Sequence, residues 1–218
     1  VQRYAIQSIN PVIEVLMTTN LTSLYDDYGD AVRTVQELEN LGIPHSDLSI
    51  VANRAASGYS EESNAGIGAG TGATVGAVIG GGAGLLAGLG MLAIPGVGPV
   101  VAAGWLVATA VGAVAGGGVG AASGGIIGSM TSAGIDERHA HIYAEGVRRG
   151  GTLVTARVAD DQVPTAETIM NRNHPVDPIA RGRAYQDSGW TTFDERAAPY
   201  TEAEVERERA RYPRQRVL

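Results

Sequence analysis

"GLGMLAIPGVGPVVAAG", residues 88–104, is the stretch on which the fold of this chain turns. Pro95 and Pro99 flank Gly96 and Gly98, and such a proline–glycine cluster reads as a turn, here spanning 94–99. On either side small residues recur at every fourth position. Gly68, Gly72, Gly76, Gly80, Gly84 and Gly88 lie before the turn, and Gly104, Ala108, Gly112, Gly116, Gly120, Gly124 and Gly128 after it. The spacing predicts a glycine-zipper helical hairpin within 63–133, with arms near 66–94 and 100–130, and these thirteen residues as its helix-packing and oligomerisation surface.

Such arms need a partner. Glycine in a helix interior costs roughly 1 kcal/mol relative to alanine, so the first arm stands about 10 kcal/mol behind a polyalanine equivalent. Close backbone approach along small-xxx-small seams is the known compensation. Four residues advance the helix by about 400°, so successive glycines drift about 40° around the axis and face several neighbours in turn. Self-association into a homo-oligomer is the expected consequence.

From Ser63 to Ile135 the chain carries no charged residue over 73 positions. A charge at mid-bilayer would cost about 2.5–3.5 kcal/mol, and a water-soluble helix pair ordinarily shows a polar face. An arm of about 29 residues would measure roughly 43 Å, enough to cross the ~30 Å hydrocarbon core with tilt. The expectation is a membrane hairpin in the bacterial inner membrane, with the lipid bilayer as partner and the charged ends together in the cytoplasm.

Outside this region the pattern is amphipathic. "NLTSLY" reads as a strand, and "DDYGDAVRTVQELENLG" as a helix with Ala31, Val35 and Leu38 on one face and Gly42 just past its end. "SDLSIVAN" supplies a second strand and, with the first, implies a parallel pair. After the uncharged region, "DERHAHIYAEGVRRGG" is a helix with Ala140, Ala144 and Val147 as its inner stripe, "TLVTARV" a strand, and "PTAETIMNRN" a helix with Pro164 in its first turn. The fold class expected is therefore α+β: a small ferredoxin-like β-α-β…α-β-α module, its halves at 17–58 and 134–173, interrupted by the zipper. Residues 174–218 read as a polar tail, with Trp190, Phe193 and Tyr200 in or near an irregular segment. Its terminal helix over 202–212 opens on a Thr201/Glu204 capping box, and the charges of that helix are expected to face solvent. Residues 1–16, ahead of Met17, read as a non-native or disordered extension.

Composition excludes several chemistries. All 16 basic residues are arginine, which removes Walker-type phosphate loops and lysine Schiff bases. The absence of cysteine removes thiolate nucleophiles and zinc–thiolate sites. A net charge of −7 argues against a dedicated nucleic-acid binder. His139 and His141, two apart on a helix, point to different faces and read as exposed histidines rather than a metal pair. Asp26–Asp27, Glu61–Glu62 and Asp160–Asp161 sit at element edges, where paired acids serve as caps. No catalytic, cofactor-binding or metal-binding residue is assigned, and no enzyme activity is expected.

"LYDDYGDAVRTVQELENLGIPHSDLSIVAN" (24–53) and "GIDERHAHIYAEGVRRGGTLVTARV" (134–158) resemble the bacterial general stress protein 17M-like (heat-induced stress protein) domain, and in particular low-temperature-induced relatives described as membrane proteins that carry a glycine-rich insert. The resemblance implies a compact α/β module tied to stress response, with no established catalytic residue to carry over. Together with the zipper it gives the leading expectation, a non-enzymatic membrane-associated stress protein. The alternative expectation is a soluble regulatory module that binds an unknown small-molecule ligand between sheet and helices, with its glycine-rich helices bundled in water.

Overall fold

The computed structural model describes residues 18–57, 85, 89–109 and 125–212. The chain is α+β, built on one sheet of β1 (Thr18–Tyr25), β2 (Leu48–Asn53), β3 (Gly90–Ile94), β4 (Gly98–Gly104) and β5 (Thr152–Ala159). The order is β1-β5-β2-β4-β3, and every neighbouring pair is antiparallel. β1 and β2 do run parallel, but they are not a pair, because β5 lies between them with Thr155 opposite both Thr22 and Ser49. Burial explains the placement. β1 opens on exposed Thr18, Thr19 and Asn20, which suits an edge, whereas β2 is buried along its whole length.

Helices cover both faces of this sheet. On one side α1 (Tyr28–Asn40) and α5 (Val163–Arg172) pack Ala31, Val35, Leu38, Ala166 and Met170 over Leu48, Ile50, Val154, Ala156 and Val158. On the other, α3 (Gly125–Ser132) and α4 (Glu137–Arg148) pack Ile126, Met130, Ala140, Ala144 and Val147 over Val51, Val100, Ala102 and Leu153. Two apolar sheet faces require two helical layers.

The larger correction concerns 89–104. The expected helical arms end here in strands: Leu92 pairs with Val100 across β3–β4, and Ile50 of β2 pairs with Ala103 of β4. Pro95 and Gly96 form the corner of a tight turn, with the Val97 amide donating to the Ile94 carbonyl at 3.1 Å and Gly96 at φ +74°. Gly104, expected on a helix, ends β4 at φ +99°, where a Cβ would collide with the Leu48 carbonyl and Ser49 Cα. Short apolar runs rich in valine, isoleucine and glycine fit either a buried helix or a buried strand, and the open edge of β2 decides for the strand. Ala108 lies exposed in a helical turn over 105–109, and Gly128 is half-buried in α3, so the three described zipper positions do not share one stripe. Gly68, Gly72, Gly76, Gly80, Gly84, Gly88, Gly112, Gly116, Gly120 and Gly124 lie outside the described residues, as does the extension at 1–16.

The segment after His174 is part of the body rather than a detached tail. The Val176 amide donates to the Leu24 carbonyl at 2.7 Å, which docks the chain beside the end of β1. α6 (Pro178–Asp187) then packs on α4, where Gly182 leaves room for Ile142. Phe193 is buried against the β3–β4 turn, Trp190 packs on the same cluster, and Gly96 and Gly98 sit directly under residues 194–199. α7 (Glu202–Arg209), three residues shorter than the expected 202–212, has its Thr201/Glu204 capping box fully formed, and it contacts the short helix α2 (Arg54–Ser57).

Candidate functional site

An opening of about 540 Å³ lies where β1 hands over to α1 and the post-174 segment crosses it. Two helix N-termini converge on it. Asp27 caps α1 by accepting from the Asp30 amide at 3.2 Å, and Asp177 caps α6 by accepting from the Ile179 and Ala180 amides at 2.8 and 3.2 Å. Asp30, 3% exposed, holds an ion pair with Arg33, and His174 places Nδ1 3.9 Å from the second Asp30 oxygen. His174 takes φ +59°, a left-handed turn that sends Pro175 and Val176 along the pocket wall.

Asp26 and Arg181 close the inner side through a two-pronged pair of 2.8 and 2.7 Å. The Arg181 guanidinium also lies 3.6 Å from the centre of the Tyr212 ring, whose face forms a further wall. Burial works against the Arg181 charge, but the Asp26 hydrogen bonds and charge outweigh it, so its pKa stands above that of an ordinary arginine. Among the described residues the lining thus holds four carboxylates, two guanidiniums and the His174 imidazole, beside apolar Val176, Ala180 and Ala184.

A buried ion cluster beside the pocket fixes its outer wall. Glu145, fully buried in α4, accepts from Arg149 Nε at 2.6 Å and from Arg148 Nη1 at 3.2 Å. Arg149 Nη1 reaches across to Glu208 Oε1 at 3.0 Å, and Arg211 donates to the other Glu208 oxygen at 2.8 Å. Desolvation again opposes the Arg149 charge, and the two glutamates raise its pKa nonetheless. The guanidinium rests 4.2 Å over the buried Tyr185 ring. α7 is thereby clamped to α4, which sets Tyr212 at the mouth of the pocket.

Several sequence expectations meet this geometry. Asp27 is the cap expected of it, while Asp26 is an ion-pair partner instead. Glu208 is 5% exposed, so the charges of the terminal helix do not all face solvent; the buried one is matched by Arg149. His139 and His141 are half-buried, His141 contacting Thr192 at 3.1 Å, because the post-174 segment covers their helix. Asp160 accepts from Thr19 at 2.9 Å, and Glu61–Glu62 lie outside the described residues. Among the described residues no group of three histidine or acidic side chains is placed to hold a metal, and no helix is long and apolar enough to cross a membrane. Neither Arg181 nor Asp177 was singled out from the sequence, although Asp177 followed by Pro178 is a legible helix start.

Comparison with protein-family models, with curated proteins and with solved structures gives no match.

Proposed function

We propose that this chain is a binding module for a small organic cation, held at the junction of β1, α1 and α6. The observation that carries this reading is the pocket of about 540 Å³ whose lining, among the described residues, brings Asp26, Asp27, Asp30 and Asp177 together with Arg33, His174 and Arg181 over apolar Val176, Ala180 and Ala184. Pockets of a few hundred Å³ with an apolar floor and a few fixed polar groups are the usual form of small-ligand sites. The aspartate caps already take up the Asp30 amide of α1 and the Ile179 and Ala180 amides of α6 and bring negative charge to both ends, which disfavours an anion there. The pocket carboxylates are engaged by caps and arginines, an arrangement suited to recognition rather than to moving a proton, and this supports a non-enzymatic role.

Binding would join the β1–α1 junction to the post-174 segment. A ligand at a hundred times its dissociation constant stabilises the fold by about 2.7 kcal/mol. The test is titration with agmatine, whose ammonium and guanidinium flank a hydrocarbon chain, followed by calorimetry and thermal unfolding. Saturable binding that Ala184→Phe abolishes supports the reading. Equal effects of agmatine and of its N-acetylated form, or no effect of Ala184→Phe, overturn it.

A second reading, association with a bilayer and with further copies through the glycine-rich segments, is favoured by the uncharged run 63–135. Alkaline carbonate extraction tests it, release into the supernatant counting against it. The stress-response role rests on the resemblance of 24–53 and 134–158. The ferredoxin-like description is supported by the split β1-α1-β2 unit around β5, with β3–β4 as an addition to the edge.

A further inference from the structure

The aspartates that line the pocket differ in what their oxygens already hold. Asp26 gives both of its own to Arg181, at 2.8 and 2.7 Å. Asp27 caps α1 and Asp30 pairs with Arg33, with His174 Nδ1 3.9 Å from the second Asp30 oxygen, so these two are committed as well. Asp177 is different. Its Oδ1 alone accepts from both the Ile179 and the Ala180 amide, and its Oδ2 accepts from no group among the described residues. We propose that Asp177 Oδ2 receives the bound cation and selects a primary ammonium at the end of an alkyl chain, an inference that rests on reading the pocket as a cation site.

The number of available oxygens decides the kind of cation. A guanidinium is a planar fork that is best met by a carboxylate offering two oxygens, whereas an ammonium is a compact charge that one oxygen suits. Asp26 has the two-oxygen geometry, and Arg181 fills it. The single oxygen of Asp177 is left for the ammonium. Helix periodicity supplies the bed for the alkyl chain. Residues three, four and seven apart share one face, and Asp177, Ala180, Arg181 and Ala184 all line the pocket. At a rise of about 1.5 Å per residue, the methyl groups of Ala180 and Ala184 extend this face about 10 Å away from the carboxylate. Asp177 is exposed, and the N-terminus of α6 offsets about half a unit of its charge, so the pairing has the strength of a solvated contact rather than of a buried one.

The experiment is a cycle of two ligands and two chains, read by calorimetry at pH 7. Agmatine is set against N-acetylagmatine, which keeps the guanidinium and loses the ammonium, and the full chain against its Asp177→Asn variant. Asparagine caps a helix as well as aspartate does, so α6 keeps its start while the charge is removed. Thermal unfolding checks this, and Asp177→Ser, which also caps, replaces the variant if its melting temperature falls. The expected result is an agmatine affinity about three to ten times weaker in the variant, with that of N-acetylagmatine unchanged. Equal agmatine affinity in both chains, with agmatine still preferred over its acetylated form, overturns the assignment to Asp177 and leaves the cation reading standing. An equal loss for both ligands overturns the assignment too, because the effect then does not pass through the ammonium. A full chain that fails to distinguish the two ligands overturns the cation reading itself, and the Asp177 assignment with it.

Discussion

The β1-α1-β2 unit and the β3–β4 hairpin belong to one sheet and pack against one another, yet they carry their structural information differently. In α1 the buried Ala31, Val35 and Leu38 alternate with charged residues such as Arg33 and Glu37, so the 3.6-residue period is written in the contrast between apolar and polar. Across 88–104 there is no polar side chain to mark which way a residue faces. The four-residue glycine interval then survives as the only regularity, and at Gly104 it misleads, because that glycine ends a strand, while Gly96 sits in the turn that its flanking prolines mark. A periodic pattern specifies structure only where something in it is excluded from the core.

The charged frame should fail most severely. Replacing Arg149 with methionine leaves Glu145 and Glu208 buried without their shared cation, and breaking such a set costs about 3–5 kcal/mol. Urea unfolding of Arg149→Met against the parent chain measures it. A loss below about 1 kcal/mol would mean that these carboxylates reach solvent and that α7 is not clamped to α4.

The hairpin is tested most sharply by a change of sign. Were Gly104 inside a helix, Gly104→Ala would stabilise the chain by roughly 1 kcal/mol. At φ +99°, with the Leu48 carbonyl against the new methyl group, the same substitution should destabilise by about 1–3 kcal/mol. Denaturant unfolding of this one variant separates a strand from a helix without any structure determination.

What could be read in advance follows the same division. β1, α1, β2, α4, β5 and α5 were legible because each shows a polar–apolar period and a cap or stop: Asp27 and Gly42 around α1, Asp136 and Gly150 around α4. α6 was not, since its buried face is Arg181, Gly182 and Tyr185 and its exposed face carries Ile179, the reverse of an amphipathic stripe. Arg181 is buried because Asp26, 155 residues away, neutralises it, and no local pattern encodes that pairing. The pocket was illegible for the same reason: its walls come from 26–33, 174–184 and 212, which only the sheet brings together.

A smaller effect tests whether the post-174 segment is held by local rules as well as by its buried charges. Thr201 and Glu204 satisfy the first turn of α7 reciprocally, at 2.8 Å for the Thr201 amide and 3.4 Å for the Glu204 amide. Thr201→Ala should cost about 1 kcal/mol. The expected signature is faster amide exchange confined to α7 and the residues around Tyr212, with β3–β4 unchanged.

The smallest expected effect concerns pH, and it falls on the charged frame alone, because residues 63–135 hold nothing that titrates in acid. Burial pushes the Glu37 carboxyl up, but hydrogen bonds from Asn173 and Arg172 outweigh it and hold the pKa below the usual glutamate value. The unfolded chain, with glutamate near its ordinary value of about 4.3, therefore binds this proton more readily than the folded one. The stabilisation is fully present above that value and is lost as pH falls through the lower folded pKa. Glu37→Gln should lower stability at pH 7 and flatten its fall below about pH 4, narrowing the gap between the two chains in acid. A gap that stays constant from pH 7 to pH 3 would show that the Glu37 charge contributes nothing to joining α1 to α5, and that apolar packing alone makes that contact.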